Sequence, residues 1–176
     1  MTSVDEYLAG LHPFSEHTST WTNATVHLRG FLTDRPVPEE LIGSARAVVF
    51  RNDEVLVLRN LHGHHVLPGG RREAGESAEL TVRREVLEES GWSLAALTLF
   101  AVIHLHFEGP PAAEHVGPHP DLLWPIFRGQ ALTHDNGALL PDDYELSSWF
   151  EPVDVAMSRD LSSMDRQLLE AVFAQP

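Results

Sequence analysis

Residues 69–92 read GGRREAGESAELTVRREVLEESGW, and they constrain the fold more than any other stretch of the chain. The paired glycines Gly69 and Gly70 permit backbone conformations that other residues resist, and they let another group approach closely. Ser77 has the chemistry of an N-cap and Gly91 that of a C′ residue, so the spacing predicts a helix from Ser77 to Ser90. On such a helix Glu85, Glu88 and Glu89 fall within about 100° of one face. Like charges at helical spacing repel, so these carboxylates either point into water or share something positive. Hard divalent cations want such a set: Mg²⁺ takes oxygen ligands and usually shares them with substrate phosphates. Zn²⁺ would recruit His or Cys, and the helix holds neither.

Composition narrows the partners. A formal net charge of −14 argues against bulk binding to nucleic acid or anionic membrane, which need a basic footprint. It leaves room for a small phosphorylated ligand, because a metal ion reverses the local potential whatever the global charge. The absence of cysteine rules out disulfides and thiolate metal sites. MTSVDEYLAG has no basic segment followed by an apolar one, and no apolar run approaches the roughly 18–20 residues that span a bilayer. A cytoplasmic protein without a membrane partner is the expectation.

At 176 residues the chain is long enough to bury a core without staples. Residues 1–43 read as an N-terminal extension. Ser3 and Glu6 have capping-box spacing for a short helix with Tyr7, Leu8 and Leu11 as its apolar face, and Thr25 to Leu32 follows as a strand with Val26 and Leu28 on one side. Residues 44–176 read as the main domain. Two β-branched runs around Asn52-Asp53 form a hairpin, LHGHH is a polar turn, and the glutamate helix follows. Leu97 to Glu108 and Leu122 to Leu132 are strands, and Ser162 to Phe173 is an amphipathic helix. Mixed strands with few helices predict an α/β sandwich rather than a βαβ series.

The glutamate segment resembles the Nudix box, G-x5-E-x7-R-E-U-x-E-E-x-G-U with U a bulky apolar residue. Gly70, Glu76, Arg84, Glu85, Val86, Glu88, Glu89, Gly91 and Trp92 satisfy it. Seven of these positions are fixed, and at roughly 6% background usage a chance match is on the order of 10⁻⁹ to 10⁻⁸ per starting position. Trp92 departs from the usual aliphatic residue, which touches packing and not chemistry. The resemblance implies a Nudix (MutT-type) hydrolase: an α/β/α sandwich with a mixed sheet and a catalytic loop-helix-loop. Such enzymes cleave nucleoside diphosphates linked to another moiety, using Mg²⁺ or Mn²⁺. By position it implies Glu85, Glu88, Glu89 and Gly69 at the metal, with Glu85 as a further ligand or the base. Arg84 orients the carboxylates and Glu76 closes the loop. A nucleotide-type substrate and a homodimer are the partners implied. The alternative from another class is a Nudix-fold sensor that binds a nucleotide or ADP-ribose without cleaving it; such proteins usually show damage in the box, and none is visible here.

Other residues are weighed beside the box. Glu145 sits where many family members place an extra acid in a late loop, as ligand or base, with Asp142 and Asp143 competing for the role. Arg71 and Arg72 follow the glycines and could meet a phosphate, or simply balance Glu73 and Glu76. On the strand 97–108 all odd positions are apolar, while the even face ends in His104, His106 and Glu108. That face is read as a cleft wall, with His104 and His106 toward substrate. His62, His64 and His65 are read as a polar turn rather than a zinc site. The Pro-rich loop 109–121, with Glu114, His115 and His119, is a candidate lid. The SQPWPFP-type run of NADH pyrophosphatases is absent, so nucleoside triphosphates, nucleotide sugars and ADP-ribose all stay open as substrates.

Overall fold

The computed structural model describes residues 2–21, 24–111, 117–140 and 145–174. Glu114, His115, Asp142 and Asp143 therefore lie outside the described residues, as do residues 112–116 of the candidate lid.

Among the described residues nine strands form one sheet: β1 (Pro13–Trp21), β2 (Ala24–Leu32), β3 (Ser44–Arg51), β4 (Glu54–Asn60), β5 (Gly63–His65), β6 (Gly69–Arg71), β7 (Trp92–Phe107), β8 (Asp121–His134) and β9 (Glu145–Pro152). The main path runs β1-β2-β7-β8-β3-β4-β5, with β6 on β3 and β9 on β4. Only the β3–β8 pairing is parallel, with Arg46 opposite Ile126. The mixed pairing and the flanking helices make this the α/β/α sandwich expected.

The helices sort to the two faces by their apolar stripes. Helix α2 (Ala78–Ser90) buries Thr81, Val82, Val86 and Ser90. Val82 and Val86 pack with Ala45, Ala47, Val49, Leu56, Leu58, Leu94 and Phe127. Each such valine is worth roughly 1.5–3 kcal/mol of burial. Its ends are as the sequence predicts: Ser77 Oγ accepts from the Leu80 amide, and Gly91 adopts φ 73° while its N–H donates to Leu87. On the other face α4 (Ser163–Ala174) buries Met164, Leu168, Leu169 and Val172. They pack on Val26, Leu28, Ile103, Leu105 and Ile126 beside the short α3 (Val153–Met157), which supplies Ala156. Helix α1 (Val4–Leu8) carries the full capping box, Ser3 with Glu6, and covers Phe31, Val102 and Leu123.

The residues before position 44 are built into the sheet. β2 pairs along β7 from Val26–Phe107 to Leu32–Ala101, and β1 pairs along β2. The sequence reading found β2 but not β1, because PFSEHTSTW is polar at most positions, as an edge strand is. It also missed β9, and the polar turn at His62–His65 closes with the edge strand β5.

Strand β7 corrects a second expectation. Register shifts at Trp92/Leu94, Leu94/Ala96 and Leu99/Ala101 interrupt its alternation. A bulge adds one residue and exchanges the faces. Leu97 and Leu99 accordingly pack toward α2, while Ala101, Ile103 and Leu105 pack on the α4 side. The odd positions therefore serve two cores.

Candidate active site

Arg84 is the hub of the loop and helix that follow β6. Its guanidinium takes Glu76 in a fork, Nε to Oε1 at 2.8 Å and NH2 to Oε2 at 3.0 Å. The same group donates to Glu85 at 2.9 Å, to Glu88 at 3.2 Å and to the Arg71 carbonyl at 3.1 Å. All five donors of an arginine suit this planar, divided task; a lysine could not fork Glu76 and reach two further carboxylates. Glu76 also accepts from the Glu73 amide and the Thr81 hydroxyl, which ties the loop 72–77 to the helix start. The hydrogen bonds from Arg84 hold Glu76 well below the usual carboxylate range, at about 2.

Glu89 lives in different surroundings. Its Oε2 accepts from the Gly69 amide at 3.0 Å. Burial pushes its carboxyl up to about 8; the Gly69 hydrogen bond opposes this, and the nearby Glu145 charge adds to it. Glu85 is likewise raised by burial, against the pull of Arg84. The two glycines have separate reasons. Gly69 has φ 142°, and a Cβ there would stand 2.3 Å from the Ala45 carbonyl oxygen. A Cβ on Gly70 would stand 2.4 Å from a Glu85 carboxylate oxygen, so the space belongs to that side chain.

Glu145, at the start of β9, lines the same cavity as Glu89, and its charge bears on that carboxyl. Its side chain is 4% exposed, and Oε1 bonds His65 Nε2 at 2.8 Å. Oε2 is buried with no hydrogen-bond partner. A buried carboxylate oxygen left alone beside a second buried carboxylate is costly unless something positive completes it. The donor set is all oxygen, as a hard divalent cation prefers. The residues thus fit such an ion. Among the described residues no three acid or histidine side chains already converge on one point. Glu85 and Glu88 turn to Arg84 instead, and Glu89 to the Gly69 amide.

Glu89, Gly69 and Glu145 form one end of a cavity of about 470 Å³ on the α4 face, which also takes in His65 and Arg46. That volume suits a small organic ligand. Arg46, on β3, was not singled out by the sequence, where it reads as the polar position of an ordinary strand. Its NH1 donates to the Leu67 carbonyl at 3.0 Å, its guanidinium lies 4.6 Å from the Trp124 ring centroid, and its Nε is buried without a partner.

The structure separates the remaining sequence candidates from this cavity. Arg72 contacts the Glu76 carbonyl and Glu39, and Arg71 is exposed; neither side chain lines the cavity. His104 and His106 point away from it, because Ile103 faces it and neighbours on a strand face opposite sides. They line a second basin of about 660 Å³ with Arg29, His27 and Asp121. Arg29 can only donate to His104 Nδ1, at 3.0 Å, so His104 carries its proton on Nε2 and gives it to Asp121 at 2.7 Å. Burial lowers the His104 pKa. His106 also bonds Asp121, at 2.9 Å. The sequence reads this face as a cleft wall, and the two histidines do line a basin, though not the one that holds Glu89. His64 pairs with Asp160 and His65 with Glu145, so the histidine cluster divides between an exposed ion pair and the site.

Known proteins resemble this chain in sequence and in fold. Residues 41–172 match the family profile of the NUDIX domain. The NAD-capped RNA hydrolase NudC of Salmonella typhi is 26% identical over 168 residues, which cover 93% of this chain and 58% of NudC. This chain thus spans somewhat more than half the length of that curated relative. Among solved structures, a Bacillus subtilis pyrophosphohydrolase superposes with a TM-score of 0.60 at 15% identity, over 91% of this chain and 94% of that one. A NUDIX hydrolase from Nitrosomonas europaea gives 0.59 at 22% identity, over 76% and 89%. At these identities the structural likeness speaks for the fold.

Proposed function

The chain belongs to the Nudix family, and from that premise we propose that it is a divalent-metal-dependent pyrophosphohydrolase of a nucleoside diphosphate linked to another moiety. The observation that carries this reading is that Glu89 and Glu145 line one cavity of about 470 Å³, with a buried Glu145 carboxylate oxygen left unpartnered. The Salmonella relative is named for hydrolysing NAD-capped RNA, and NAD joins two nucleosides through a pyrophosphate. That chemistry supports the substrate class.

Glu85, Glu88, Glu89 and the Gly69 main chain would hold Mg²⁺ or Mn²⁺. When bound, the cation neutralises phosphate oxygens and polarises water, which is most of what pyrophosphate cleavage requires. The protein's share is placement. Arg84, locked to Glu76, fixes where Glu85 and Glu88 stand. Glu145, braced by His65, takes a proton from the attacking water as the bond between phosphorus and the bridging oxygen breaks. Arg46, which lines the cavity, meets the phosphates in place of Arg71 and Arg72. Residues 44–176 form the hydrolase unit, and the extension 1–43 completes its cavity through β1. The intact box favours hydrolysis over binding alone.

The test is an incubation with Mg²⁺ or Mn²⁺ and a panel of NAD-type dinucleotides, ADP-ribose, nucleotide sugars and nucleoside triphosphates. Metal-dependent release of a mononucleotide from at least one of them is expected. Tight binding without release across the panel would overturn the enzyme in favour of a sensor.

A further inference from the structure

Among the described residues β1 has no strand partner but β2, and β2 is joined to the rest of the sheet through β7. The two strands carry His17, Trp21 and Leu28 into the wall of the Glu89 cavity. Trp21 is stacked there on Trp124 of β8, with centroids 5.7 Å apart and planes 20° from parallel. Whatever seats β2 on β7 therefore seats that wall.

On the sheet face turned away from the cavity, side chains close the seam between β2 and β7. Arg29 and His104 stand opposite one another in the register, and Arg29 donates to His104 Nδ1. His104 is only 4% exposed, and its Nε2–H is spent on Asp121 of β8. The imidazole is thus satisfied on both sides while it holds one proton. A second proton can go only to Nδ1, where the guanidinium has donors and no acceptor. Two N–H groups would then face each other, so the tie to β2 would break while the tie to Asp121 stayed. Burial lowers the His104 pKa; Asp121 opposes this, and Arg29 and His106 add to it. Its contribution to the seam is therefore complete above the ordinary value of 6.5 and is lost as pH falls below it.

The other charged groups around this basin do not repeat the conflict. Glu16 on β1 lies across from Arg29, and Asp5 on α1 lines the same basin, so a released guanidinium has carboxylates to turn to. His27 lies opposite His106, and each has a carboxylate partner, Glu108 and Asp121 respectively. A second proton on either leaves that pairing in place. His104 alone has a cation where its second proton must go.

We propose that His104 is an acid-sensitive latch on the cavity wall: with one proton it ties β2 to β7 through Arg29, and with a second it releases Arg29 and loosens the β1–β2 hairpin. The device joins a segment that precedes the matched family domain to a strand within it. It regulates the cavity assigned to substrate above, but the latch itself does not depend on what the cavity binds.

The experiment uses the full chain in chelator, without substrate. Hydrogen–deuterium exchange is followed at pH 7.5 and 5.5, each segment's rate is divided by its intrinsic rate, and β1 and β2 are compared with β3. A change in whole-fold stability, from Glu89 or elsewhere, moves both regions together and cancels in the ratio. The ratio should rise about five- to tenfold on acidification, since the opened seam takes its proton freely and the closed one gives up a hydrogen bond to a charged group. His104→Gln keeps an acceptor for Arg29 and a donor for Asp121 without titrating, so its ratio should stay flat. Arg29→Gln places an amide, which can donate or accept, beside Nδ1 and should remove most of the rise by another route. His106→Gln leaves the Arg29–His104 bond and should respond as the wild type does. Circular dichroism at pH 7.5 shows which variants are folded. A flat wild-type ratio overturns the latch, as does a full rise in whichever of His104→Gln and Arg29→Gln is folded. A rise abolished by His106→Gln places the proton elsewhere and overturns it too. Absence of hydrolysis in the substrate panel would leave each of these outcomes readable.

Discussion

Glu76 and Glu89 stand at opposite ends of one helix and in opposite electrical conditions. Glu76 is complete within the chain: Arg84 forks it, Thr81 and the Glu73 amide add to it, and its pKa sits at about 2. Glu89 has one backbone hydrogen bond, a second carboxylate for a neighbour, and a pKa of about 8. The first is a finished joint. The second is left unfinished within the chain, and in the proposed function a cation completes it. Both residues are box glutamates, and only their surroundings assign them different work.

Glu89→Gln should break the contrast most sharply. It removes a ligand but keeps the shape, so turnover should fall by about a hundredfold or more, with the melting temperature in chelator unchanged or raised. Wild-type turnover in a folded variant would remove Glu89 from the site. Glu76→Gln should act the other way. It strips Arg84 of its charged fork, costing about 1.5–3 kcal/mol of stability, and lowers activity only through misplaced Glu85 and Glu88. Urea unfolding beside kcat separates the two.

Acid and base should distinguish them as well. Glu76 has a lowered pKa, so its contribution to stability is present above its ordinary value near 4.5 and is lost as pH falls toward about 2. Glu89 has a raised pKa, so in the metal-free protein its contribution is present below about 4.5 and is lost as pH rises through about 8. Melting in chelator should therefore drop by about 5 °C between pH 5 and 9, and Glu89→Gln should flatten that slope. The smallest effect belongs to the helix start. Ser77→Ala removes one cap, about 1 kcal/mol by urea unfolding, and should leave the metal dependence of the rate unchanged.

What the sequence disclosed follows the same line between local and distant. The box, its caps and the hairpin at Asn52 are written in consecutive residues, and the structure has them where the spacing puts them. Arg46 and His65 are not local. They reach the cavity of Glu89 and Glu145 only because β3, β5 and β9 come together; nothing local marks Arg46, and the histidine cluster marks His65 without saying what it meets. His104 and His106 show a different limit. Alternation marks a polar face on β7, and no pattern within one strand says which of the two basins that face lines. The bulges in β7 hide a further exchange of faces, because an extra residue leaves no mark in an apolar run.

The pairing of β2 along β7 has a consequence for how the chain is made. Residues 26–32 find their partners only at 101–107, β3 waits for residues 126–130, and β4 waits for β9 at 145–152. On the ribosome, at about 5–20 residues per second, the hairpin of β1 and β2 stays without β7 for seconds. The strand that brings Trp21 to the cavity is thus among the earliest translated and can be seated only once most of the sheet exists. Its edge, dotted with Glu16, His17, Thr18 and Thr20 rather than an apolar run, is well suited to that wait, since polar edges resist pairing with the wrong strand.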